Sequence, residues 1–127
     1  PGRQQIAAGE ARIELASGAI VSMAGPIDFE VLRPDRMHLH SGALRVYVPE
    51  AAQGFAVTAP RGIQVIDLGT EFGVCVDEEQ VVHVAVFRGK VALNNGQTLS
   101  APGAVQFHPG GDVVSSSVDA QRFPSMH

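Results

Sequence analysis

The sequence predicts an all-β domain, and three observations carry that prediction. Apolar and polar residues alternate with period two in segment after segment. The segments are bounded by Gly, Pro, Asn and Ser, the residues that turns use. Only Pro49–Gly54 reads as a helical turn, and it is too short to stand as a free helix.

The elements follow in order. Ile13 and Leu15 alternate with Arg12 and Glu14. Ile27, Phe29 and Val31 alternate with Asp28, Glu30 and Leu32, and Leu44, Val46 and Val48 alternate with Arg45 and Tyr47. Val82, Val84 and Val86 share one parity, and Ala85 and Phe87 occupy the other, so this strand is expected to be covered on both faces. Asn94-Asn95-Gly96 is the strongest hairpin signal, because Asn and Gly tolerate the positive φ of such turns. Pro34-Asp35 and Pro60-Arg61-Gly62 fit proline-led turns.

Glycine-led strand starts recur at Gly42, Gly62, Gly89 and Gly103, at unequal spacing. That pattern points to a short β-solenoid-like or two-facing-sheet β-structure, with a β-sandwich or barrel as the alternative. The 127 residues read as one domain, with a core at about 10–107 and residues 108–127 as a tail or the start of a linker.

Composition narrows the function classes. The formal charge is −4 and no basic run exists, so no nucleic-acid partner is expected. Trp is absent, and the single cysteine, Cys75, offers neither an internal disulfide nor a zinc set. No apolar run approaches the roughly 18 residues of a membrane span. The chain begins at Pro1 without Met and reads as a piece of a longer protein.

The central stretch is Asp67-Leu68-Gly69-Thr70-Glu71-Phe72-Gly73-Val74. Leu68, Phe72, Val74 and Val76 are expected in the core, and Gly69, Glu71, Gly73 and Cys75 on the opposite face. Two glycines flank Glu71 and leave that face bare, so Glu71 is the candidate partner-facing residue. Ile63 and Val65 have the other parity, which predicts a bulge near Ile66-Asp67.

Few residues invite chemistry. His38-x-His40 puts two imidazoles on one strand face, but no carboxylate follows at metal-site spacing, so solvent-facing histidines are expected. Cys75 has no cysteine partner and reads as structural, although His83 could lie on a neighbouring strand. Asp67, Glu71, Asp77, Glu78 and Glu79 form an acidic cluster, with Asp77-Glu78-Glu79 read as a solvated loop. No nucleophile elbow, phosphate loop or dinucleotide fingerprint occurs. The expectation is no enzyme, no catalytic residue, no metal and no cofactor.

The ordered set Gly54-Phe55-Ala56-Val57-Thr58-Ala59-Pro60, Leu68-Gly69-Thr70-Glu71-Phe72-Gly73-Val74 and Val84-Ala85-Val86-Phe87-Arg88-Gly89-Lys90-Val91 resembles the FecR family. Leu39–Val46 and Leu99–Gly103 match the family's flanking strand and closing turn, and Ala59 between Thr58 and Pro60 is a small departure. The Gly-Thr-Glu-Phe-Gly-Val form is similar to planctomycete-type variants. The resemblance implies an extracytoplasmic signal-sensing and protein-docking domain of a transmembrane anti-sigma-factor-type regulator. It implies periplasmic placement within an inner-membrane protein, and a transporter signalling domain or a sigma-regulator component as partner. Leu68, Gly69, Thr70, Phe72, Val74, Gly89 and Val91 are then its structural motif. A small-molecule or glycan-binding β-module is the alternative.

Overall fold

The computed structural model describes residues 2–126. Twelve strands join in one sheet, and its spine is a long hairpin. In that hairpin β3 (Ile20–Arg33) pairs with β4 (Arg36–Tyr47) across the Pro34-Asp35 turn. Against the outer edge of β3 lie β1 (Gly2–Ile6) and β2 (Glu10–Glu14). The β3–β4 register shifts between Ala24 and Asp28, and the spine divides there into two arms.

One arm runs from the start of β4 through β5 (Ala56–Ala59), β6 (Ile63–Asp67), β9 (Lys90–Leu93) and β10 (Thr98–Ser100). The other runs from the end of β4 through β7 (Glu71–Val76), β8 (Val82–Arg88), β11 (Gly103–Phe107) and β12 (Val113–Ser116). Among the described residues only β4–β5 is a parallel ladder. The sheet curls so that both arms share one core. Ile27, Phe29, Met37, Leu39, Phe55, Val57 and Val65 from the first arm pack with Val21, Leu44, Val46, Phe72, Val74, Val84 and Val105 from the second. The all-β expectation holds, and the strands form one continuous sheet curled like a half-barrel around the shared core.

The period-two readings hold where they place the core. Val82, Val84 and Val86 are fully buried, and Ala85 is buried on the opposite face. Asn94–Gln97 closes the β9–β10 hairpin, with Gly96 N–H donating to Leu93 O at 3.1 Å. Glu50–Ala52 is a single 3-10 turn.

One expectation fails at the centre. No bulge carries a continuous strand through residues 66–68. Instead β6 ends at Asp67, β7 begins at Glu71, and the two are not partners. Leu68-Gly69-Thr70 is a corner that takes the chain from one arm to the other, with Gly69 at φ +94°. The inward set is therefore Ile63, Val65 and Asp67, then Phe72, Val74 and Val76. Leu68, expected inside, is half-buried and sits outside the core cluster. A corner changes parity as a bulge does, so alternation alone could not separate the two.

Candidate functional site

Two regions concentrate the motif residues. The first is the corner. Leu68 N–H donates to Lys90 O at 3.1 Å, and Val48 N–H donates to Thr70 O at 3.0 Å. Gly89 has φ +72°, and a Cβ there would run into the carbonyl oxygen of Gly69. The two glycines are thus required together, one to turn and one to let its backbone approach. Val91 is fully buried opposite Asp67 in the β6–β9 ladder.

Asp67 is fully buried inside this corner. Its carboxylate faces the amides of Gly69, Gly54 and Thr70, yet neither oxygen reaches hydrogen-bond geometry. Burial pushes its pKa up, and those amides pull it partly back. The hydroxyl of Thr70 is likewise buried without a partner.

The second region is the outer face of the β3–β4–β7–β8–β11 arm. Glu71, proposed from sequence as displayed, is half-buried and accepts from Arg45 Nε at 2.7 Å and from Arg45 Nη2 at 2.5 Å. The Arg45 guanidinium carbon lies 3.7 Å from the Phe87 ring centroid, so the ion pair is backed by a cation–π contact. Beside it, Gly73, Cys75, Ala85 and Ala104 make a floor of small side chains.

That floor is not bare. Phe123 lies on Gly73, where an added Cβ would come within 2.5 Å of the ring's Cδ1. Its ring meets Phe87 edge to face, 5.6 Å between centroids at 84°. Residues 113–126, expected as a tail or linker, supply β12 and then a strap across this face. Asp119 caps a 3-10 turn over Ala120–Arg122. Beyond Phe123, Ser22 Oγ donates to Ser125 O at 2.6 Å, and Arg12 Nη1 donates to Met126 O at 3.0 Å. The strap therefore reaches from β12 to β2. Period-two reading marked Ala85 and Phe87 as needing cover, but nothing local said what covers them.

Cys75 lies beneath the strap. Burial pushes its thiol pKa up, with the Arg122 guanidinium opposing. His83 is directly opposite Cys75 in the β7–β8 ladder. However, His83 Nε2 is 2.8 Å from Asp77 Oδ2. A protonated thiol beside an occupied imidazole is not an activated nucleophile.

The acidic cluster is dispersed. Asp67 is in the core and Glu71 holds Arg45. Asp77 builds the β7–β8 turn, with Oδ1 accepting from Glu79 N–H at 3.0 Å and Val81 N–H at 2.9 Å. Burial raises the Asp77 pKa, but His83 and those amides outweigh it, and the net shift is downward.

The histidine pair also differs from expectation. His38 and His40 are half-buried, with ring centroids 4.4 Å apart. His38 Nδ1 is 2.7 Å from Thr58 Oγ1, and His40 Nε2 is 3.6 Å from Glu30 Oε1. Burial and the neighbouring His40 lower the His38 pKa. Among the described residues no group of three or more His, Cys, Asp or Glu is placed to hold a metal ion. Nor is any helix there long and apolar enough to cross a membrane.

These features define a class: a curled β-module whose specialised surfaces are a backbone-packed corner and a strapped sheet face. Residues 3–92 match the family described as FecR protein, and the chain belongs to that family. No curated protein sequence matches it. The fold is similar to that of a candidate anti-sigma factor from Parabacteroides distasonis, in a crystal structure at 1.65 Å resolution with TM-score 0.75 and 20% identity. A second structure under the same description, at 2.50 Å resolution, gives TM-score 0.71 at 20% identity. The first likeness covers 95% of this chain and 62% of that one, and the second 94% and 62%. This chain thus spans less than two thirds of those structures.

Proposed function

We propose that this domain is the extracytoplasmic, protein-docking part of a sigma-factor regulator, and that it senses its signal by binding another protein. The family match over residues 3–92 carries the reading. It takes in the corner and most of the strands of both arms. The likeness in fold to a candidate anti-sigma factor is in keeping with it. On this reading the parent protein is anchored in the inner membrane, the domain lies in the periplasm, and it turns over no substrate.

The physical surfaces suit docking. At the end of one arm β12 pairs only with β11, and its Val113 and Val114 are 49% and 45% exposed. A free edge of this kind accepts an added strand through main-chain hydrogen bonds. Titration of the isotope-labelled domain with transporter signalling segments and sigma-regulator segments tests the reading. Discrete amide shifts with one of them are expected, and no shift with any of them overturns it.

A small-molecule reading is favoured by one observation only. A groove of about 430 Å³ lies at the spine bend, lined by Ala24, Pro26, Ser41, Ala43 and Val76. That volume is within the range of ligand sites, roughly 300–1,000 Å³. A thermal-shift screen with sugars and small apolar ligands decides it, and a specific shift would move the assignment from docking to ligand binding.

A further inference from the structure

We propose that residues 117–126 are an internal occupant of a docking groove, and that an extended partner segment bearing one aromatic side chain takes their place. This rests on the docking reading above and names the surface and the chemistry of the partner.

The seat is built for a ring. Gly73 supplies the depth, because any side chain there would collide with Phe123. Phe87 supplies an edge-to-face wall, held in place under Arg45. Val118 and the buried Pro124 add apolar contact on either side of the ring, and beyond them the groove holds main chain. Ser22 and Arg12 donate to the carbonyls of Ser125 and Met126. A different sequence in extended form could present the same carbonyls.

The strap occupies this seat incompletely. It adds no strand after β12 ends at Ser116. Asp119 through Arg122 are exposed. Between strap and sheet remains a space of about 140 Å³, bordered by Ala85, Ala104, Ser117, Arg122 and Phe123. A segment that reaches into this space gains contacts the strap does not make, and so competes with it. The strap is thus a lid on its own binding face, and a partner opens it by exchange of one ring for another.

Cys75 reports the exchange, because it is the chain's single cysteine and is buried under the strap. The full chain is labelled with iodoacetamide at fixed pH, as wild type and as Phe123→Ala. Wild type reacts slowly. The variant reacts faster by about tenfold or more, since local opening sets the rate. A saturating peptide copying residues 117–126 returns the variant to the wild-type rate, and the same peptide with Ala in place of Phe does not. An unchanged rate in a folded variant, or a peptide that fails to protect, overturns the proposal.

If Phe123→Ala loses its fold by circular dichroism, Gly73→Ala is the second variant. Its φ is ordinary, so the added methyl acts only by expelling the ring. Native dichroism with accelerated labelling supports the proposal. A wild-type rate, or loss of fold in both variants, overturns it, since a displaceable strap cannot be required for folding. The partner titrations separate this inference from the reading beneath it. If the peptide protects but no transporter or sigma-regulator segment binds, the docking reading falls and the groove stands. If a segment binds without changing Cys75 labelling, docking lies elsewhere and the strap inference falls.

Discussion

The corner at Leu68-Gly69-Thr70 and the strap around Phe123 solve the same problem by different means. Each closes off backbone or apolar surface that the curled sheet would otherwise expose. The corner does so with main chain against main chain, most tightly where Gly89 approaches Gly69. The strap does so with one ring on a floor of small residues and a few hydrogen bonds. Backbone-on-backbone contact has no slack, because neither side has a rotamer to change. A ring in a shallow groove can leave as a unit. The corner is therefore expected to set global stability, and the strap to set local opening.

The largest effect that tests this division is Gly89→Val. The branched side chain meets the Gly69 carbonyl and must adopt positive φ. A loss of about 4 kcal/mol or more is expected, enough to consume much of a small domain's stability. Urea denaturation measures it. A loss under about 1 kcal/mol would mean the corner yields, and the contrast with the strap would disappear.

Next in size is a pair of variants two residues apart. Gly69→Val places a β-branched residue at φ +94°, although nothing stands where its Cβ would go. The cost is backbone strain alone, about 2–3 kcal/mol. Glu71→Ala removes the partner of a partly buried Arg45 that still has Phe87 beneath it, at about 1 kcal/mol. Melting curves should rank Gly69→Val as the more damaging. Equal melting temperatures would show that the outer-face ion pair matters as much as the corner.

The same contrast explains what the sequence made legible. The all-β class, the 94–97 hairpin and the core parity of Val82, Val84 and Val86 all follow from local alternation and turn chemistry. The motif glycines were visible as glycines, but not as partners, because positions 69 and 89 meet only after the sheet curls. Asp67 reads in the sequence as a member of an acidic cluster and not as a core residue, because charged residues are rarely fully buried. A single inward carboxylate at a strand end leaves no periodic trace once Leu68 can be assigned inside instead. The strap was hidden for a different reason. Phe123-Pro124 lies in a polar, proline-marked stretch, and its seat is made of residues notable only for being small. Nothing within either segment encodes that they meet.

Asp67 tests the corner's electrostatics. Its pKa is raised in the folded state, so the native protein holds that proton more tightly than the unfolded chain does. The stability this contributes is present at pH below the ordinary carboxylate range and is lost as pH rises through the raised value. Asp67→Asn removes that loss. Its urea midpoint should fall less than that of wild type between acid and neutral pH, so the variant gains relative to wild type toward pH 7. Parallel pH profiles would mean that the Gly54, Gly69 and Thr70 amides fully offset the burial.

The smallest effect expected is at the far end of the strap. Ser22→Ala removes the hydroxyl that donates to Ser125 O, and leaves a methyl on the outer face of β3. Ser125 is exposed, so its carbonyl can turn to water. The cost is then one hydrogen bond with no buried group left unpaired, about 0.5–1 kcal/mol. If strap and sheet open separately, that cost falls on the strap alone. The urea midpoint should stay within error of wild type while Cys75 labels about two- to fivefold faster, the factor that such a cost implies. If the midpoint moves and the labelling rate does not, strap and sheet unfold as one unit, and the distinction between corner and strap would be one of contact type only.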